Sequence, residues 1–82
     1  MRTVFEDTIN LKVDSKLYRK CTMDDDGVVT FSVTVFTEGN SHKLLEVSPP
    51  SKMNMSEFGK WLTTSTQTAI NEGKKQGVID DS

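Results

Sequence analysis

Between Val28 and Phe36, apolar and polar residues alternate without a break. Val29, Phe31, Val33 and Val35 fall on one side, and Thr30, Ser32 and Thr34 on the other. A period of two in β-branched and aromatic residues predicts a half-buried strand, with one face needing a core and the other meeting water or a partner. A rougher version of the pattern runs over 5–13, where Ile9, Leu11 and Val13 alternate with Thr8, Asn10 and Lys12. Phe5 keeps that register and Asp7 breaks it, which predicts a frayed or bulged start, or an edge position where an inward charge blocks unwanted pairing. Over 17–23, Leu17, Cys21 and Met23 face the core, and Tyr18, Lys20 and Thr22 face away. Arg19 intrudes on the apolar side, from which its long stem would carry the charge to the sheet edge. A fourth, shorter strand over 42–47 points Leu45 and Val47 inward and Leu44 outward.

The breaks between these runs read as turns. Asp14-Ser15, Asp24-Asp25-Asp26-Gly27 and Glu38-Gly39-Asn40-Ser41 supply side chains that bond their own backbone and glycines that take positive φ without strain. Ser48-Pro49-Pro50-Ser51 ends the sheet, because two prolines remove two ladder donors. A helix then runs over 54–76. Asn54 followed three residues later by Glu57 forms a capping box, with Ser51 and Ser56 as competing caps. Lys74 and Lys75 suit the negative end of the helix dipole, and Gly77 suits a left-handed stop. At helical spacing Met55, Phe58, Leu62, Ser65, Ala69 and Gly73 form one stripe with Trp61 at its flank, opposite Lys60, Thr63, Thr64, Gln67, Asn71 and Lys74. The run from Thr63 to Thr68 has poor helix propensity, so packing must hold it.

Short turns make neighbouring strands antiparallel. The expected fold is therefore α+β: a four-stranded antiparallel β-meander followed by one long C-terminal helix packed on one face. Residues 1–77 form a single domain and 78–82 a short flexible tail. Eighty-two residues are enough for one modest core and too few for a deep cleft between lobes. A formal net charge of −2, mixed along the chain, excludes a strongly basic nucleic-acid binder and a heavily acidic mimic of DNA. Cys21 is the single cysteine, so neither an internal disulfide nor a zinc cluster is expected. The first residues carry Glu6 and Asp7 where a secretory signal would be apolar, and no apolar run reaches a membrane-spanning length. The expectation is a cytoplasmic protein with no membrane association.

No catalytic constellation stands out, and the expectation is a non-enzyme without a cofactor. His42 is the single histidine, and beside Ser41 at a turn it has adjacency but not a catalytic geometry. Cys21 falls in the apolar register and reads as a small buried hydrophobe. Asp24 and Asp26 begin the spacing of a calcium loop, but Val28 and Val29 occupy the following places, so the segment reads as a turn and not a metal site.

The outward register is more informative. Thr8, Asn10, Lys12, Tyr18, Lys20, Thr22, Thr30, Ser32, Thr34 and Phe36 share it, with two aromatics among lysines and hydroxyls. Lys12, Tyr18, Lys20, Phe36 and Lys43 are the candidate partner-binding residues. One expected occupant is a larger protein, for which this chain would act as a regulator or inhibitor, in the manner of the compact accessory proteins of bacteria and phages. The alternative is single-stranded nucleic acid, since bases stack on aromatic side chains and phosphates need cations. The cations in reach, Lys12, Lys16, Arg19, Lys20 and Lys43, lie near the Asp24-Asp25-Asp26 turn in sequence, which favours the protein partner. On the helix, Trp61, Ser65, Ala69 and Gly73 are the candidate face of a homodimer, because small residues admit a second backbone and one helix covers only part of a four-stranded sheet.

The 27–36 strand, a polar turn, a short strand and a helix with Trp61 in its opening turns follow one another in an order that resembles the single-strand-binding domain of the positive-cofactor-four transcriptional coactivators. The resemblance implies a nucleic-acid-binding sheet face. It lies in the order of elements and transfers no binding residue, since Leu44-Leu45-Glu46-Val47-Ser48-Pro49-Pro50 stands where that family carries a basic, glycine-containing segment.

Overall fold

The computed structural model describes residues 1–12, 15–50 and 52–79. Val13, expected inward, Asp14 of the first turn, Ser51 as a cap and the last three residues of the tail lie outside that range, as does the Lys12 side chain. Strands β1 (Arg2–Lys12), β2 (Ser15–Met23), β3 (Val29–Thr37) and β4 (Asn40–Val47) form one antiparallel sheet in chain order, and helix α1 (Met55–Gln76) follows.

The turns carry out what their residues promise. Asp24 Oδ1 accepts from the amides of Asp26 and Val28 at 2.9 Å each, and Gly27 takes φ +81°. That closes β2 onto β3 in a register without a slip, Leu17 opposite Val35 and Cys21 opposite Phe31. Leu17, Cys21, Phe31, Val33 and Val35 are fully buried on the face that α1 covers. Phe31 sits within an aromatic cluster, its ring 5.8 Å from Trp61 and 6.0 Å from Phe5, while Phe58 stacks on Trp61.

Asp7 and Arg19 face each other across β1 and β2 on this same side. Arg19 reaches across to the edge strand β1, where it forms a bidentate pair with Asp7, Nε to Oδ1 at 2.8 Å, and it donates from Nη1 to Thr66 Oγ1 at 3.3 Å. The pair ties the sheet to the helix. Two charges that each break the apolar register thus satisfy one another, as partly buried charges must.

At four places the structure departs from the alternation. Leu44 was expected outward but is 8% exposed, because β4 slips against β3 between Val33 and Thr34. Val33 pairs with Leu45 and Thr34 with Lys43, so Leu44 is the extra residue of a bulge and joins Leu45 in the core. Below the bulge the parity reverses: Lys43 turns outward and His42, opposite Val35, turns inward. Met55 belongs to the apolar stripe by spacing but is 85% exposed, since it opens the helix where it overhangs the sheet end. Ile9 faces the helix side opposite Leu17 yet remains 38% exposed, because α1 rests on β3 and β4 and leaves β1 open. Finally, the tail is not loose from residue 78. Val78 and Ile79 both donate to the Gly73 carbonyl oxygen around a left-handed Gly77, and Ile79 is buried in the core.

The helix begins as its sequence predicts. Asn54 is the cap, its Oδ1 accepting from the Glu57 amide at 2.8 Å while the Glu57 carboxylate accepts from the Asn54 amide.

Candidate functional site

With α1 on one side, the opposite face of the sheet has no covering layer among the described residues. Strand pairing arranges its side chains in rows. Asn10, Lys16, Phe36 and Ser41 form one row; Thr8, Tyr18, Thr34 and Lys43 the next; then Glu6, Lys20, Ser32 and Glu46; and Thr3, Thr22 and Thr30 the last. Tyr18, Lys20 and Phe36 therefore lie on one face, which Lys43 joins through the bulge in β4, while Lys12 pairs through its backbone with Ser15 beyond a bulge in β1. Phe36 is 44% exposed. Its ring meets that of half-buried Tyr18 edge-on at 6.0 Å across adjacent rows, a favoured aromatic arrangement.

The electrostatics of this face come from residues the sequence reading did not single out. The Tyr18 hydroxyl donates to the Glu6 carboxylate, which pushes the phenol pKa above its ordinary value. Lys43 Nζ lies 3.0 Å from Glu46 Oε2. Lys20 sits in one row between Glu6 and Glu46, separated from the latter by Ser32. Glu6 and Glu46 were legible from parity alone, Glu6 two residues from outward Thr8 and Glu46 between inward Leu45 and Val47. Arg19, counted among the cations for phosphate, is turned to the other face and bound to Asp7. The outward charges described are thus three lysines, Lys16, Lys20 and Lys43, against two glutamates.

The candidate dimer face lies elsewhere. Ser65, Ala69 and Gly73 are buried, and Trp61 packs on Phe31. A Cβ at Gly73 would stand 2.4 Å from Ile79 Cδ1 and 3.2 Å from Leu44 Cδ1. The small stripe is occupied within the chain by its own sheet and C-terminal turn.

Cys21 and His42 share the inward face without meeting. They lie opposite Phe31 and Val35, a separation of roughly 13 Å along β3 at the usual strand rise. Burial pushes the Cys21 thiol pKa up, which disfavours the thiolate. Among the described residues no group of three or more His, Cys, Asp or Glu is placed to hold a metal ion, and no helix is long and apolar enough to cross a membrane.

No family model matches the chain, and neither a curated protein nor a solved structure matches it.

Proposed function

We propose that this chain is a small non-enzymatic protein-binding module, a regulator or inhibitor that docks a larger protein on the outer sheet face around Tyr18 and Phe36. The observation that supports this most is the charge arrangement there. Lys20 shares its row with Glu6 and Glu46, and Lys43 is paired with Glu46, so these cations do not form a track for phosphates. An exposed Phe36 beside a half-buried Tyr18, in a field of hydroxyls and mixed charge, suits a protein interface, where aromatic anchors bring large contact area.

A second reading, single-stranded nucleic acid, draws on the same Tyr18–Phe36 pair, because any base has a face to stack on it. A titration of a labelled oligonucleotide separates the two. At physiological salt the anisotropy should stay flat, since three lysines offset by two glutamates neutralise few phosphates. Micromolar binding that weakens as salt rises and is abolished by Phe36→Ala would overturn the protein-binding reading.

A further inference from the structure

Of the exposed large apolar residues, Ile9 and Phe36 lie towards the far end of the sheet, while Val4, Val28 and Met55 gather at one end of the molecule. Val4, Val28 and Met55, exposed by 42%, 50% and 85%, line one cavity of about 410 Å³ together with Met23, Met53 and Phe58. Its walls come from three separate parts of the chain: the bulged start of β1, the end of β2 with the turn into the start of β3, and the connection from β4 into α1. Three of the six wall residues named are methionines, whose unbranched, polarisable side chains adapt to irregular apolar partners. A monomer gains nothing by leaving such side chains in water.

The rim carries charge. The Asp24-Asp25-Asp26 turn joins two lining residues, Met23 and Gly27, and all three carboxylates are exposed. Against them stand Lys52, from the connection into the helix, and the amino group of Met1, 3.4 Å from Asp25 Oδ1. A second copy of the chain seated symmetrically on this end would set three aspartates against three aspartates, a like-charge juxtaposition that opposes association.

We propose that this groove binds a short segment of a partner protein presenting bulky apolar side chains next to a lysine or arginine, the apolar groups entering between Val28 and Met55 and the cation meeting the aspartate turn. The site is distinct from the Tyr18–Phe36 face, so either can fail without the other.

The test uses the intact chain and a displayed random dodecapeptide library. Enriched peptides should combine a bulky apolar residue with a neighbouring Lys or Arg. Their affinity should fall roughly ten-fold or more in a Val28→Ser/Met55→Gln variant, as for loss of anchoring contacts. It should also fall in Asp26→Asn and be unchanged in Phe36→Ala. Both positions of the double variant are exposed, and Asp24 is left intact because its carboxylate holds the turn. Circular dichroism confirms that the variants fold, and Met55→Gln alone serves if the double variant does not. Failure to enrich any peptide, enrichment of peptides without a cation, or affinity indifferent to the groove variants would overturn the proposal. Self-association lost in Val28→Ser would assign the groove to a second copy instead.

Discussion

Phe31 and Ser32 are neighbours in β3 and face opposite ways, one fully buried in the aromatic cluster and the other on the uncovered face. Phe31→Ala should therefore cost roughly 3–5 kcal/mol of unfolding free energy, as large core truncations do. Ser32→Ala should be nearly neutral, because Ser32 Oγ makes one 3.5 Å contact, to the Lys20 carbonyl oxygen, that water replaces. Denaturant unfolding of the two variants reads both effects, and equal losses would contradict the facing. Asp7 gives a second prediction at this scale. The hydrogen bond from Arg19 is the main influence on its carboxyl and holds the pKa below the ordinary 3.8, burial opposes this, and charge attraction adds to it. A folded pKa below the unfolded one means that the unfolded state binds more protons in the interval between them, so stability rises with pH there. The contribution is complete above the ordinary carboxylate range and is lost as pH falls through the folded pKa. Asp7 is 41% exposed, so its share is modest, roughly 0.2–1 kcal/mol for a screened pair. Asp7→Asn should lower stability at neutral pH and flatten its decline towards about pH 3, measured by denaturant midpoints across pH. An unchanged acid slope would show that the pair does not contribute.

Among the elements, β3 was legible in the sequence, and the start of α1 was legible to within the choice among Asn54, Ser51 and Ser56 as its cap. A strict period of two and an Asn–Glu capping box are local signals, and local signals survive into the fold. The order and pairing of all four strands followed from turn chemistry. The bulge in β4 was not legible, because parity assumes that no residue is extra. The consecutive leucines 44 and 45 were the available sign, since two large apolar residues in a row suit a site where both turn inward. The pairing of Asp7 with Arg19 needed the β1–β2 register, which neither strand specifies alone. The docking of Val78 and Ile79 was not legible, because the anchor of Ile79 is an absence, the missing side chain of Gly73. That gives a sign-reversing prediction. Alanine is favoured over glycine inside a helix by about 1 kcal/mol, yet Gly73→Ala should destabilise this chain, because the new methyl group would displace Ile79. In an Ile79→Ala background the same change should stabilise or become neutral. Thermal unfolding of the four proteins in this cycle measures it, and a stabilising Gly73→Ala in the parent chain would contradict the docking of the C-terminal turn. By the same logic Ala69→Glu, which would free a monomer if the stripe lay open, should unfold the chain, because Ala69 is fully buried.

For the molecule as a whole, a one-sided helix leaves the opposite face of the sheet uncovered among the described residues. The fold has one core, and α1 covers β3 and β4 on one face. The opposite face is left with an aromatic pair and lysines interleaved with glutamates. Tyr18, Lys20 and Phe36 lie together because they share a strand parity, and the bulge in β4 brings Lys43 to the same face. Glu6 and Glu46 share the row of Lys20, and Glu6 meets Tyr18 while Glu46 meets Lys43, which weighs against phosphate recognition. The most direct measurement is capture of partners from a nuclease-treated host lysate on the immobilised chain, run side by side with Phe36→Ala and Tyr18→Ala. The account predicts that nuclease leaves a specific protein bound to the parent chain and that both substitutions release it while leaving the fold intact by circular dichroism. Capture that disappears with nuclease treatment, or a bound protein indifferent to both substitutions, would contradict it.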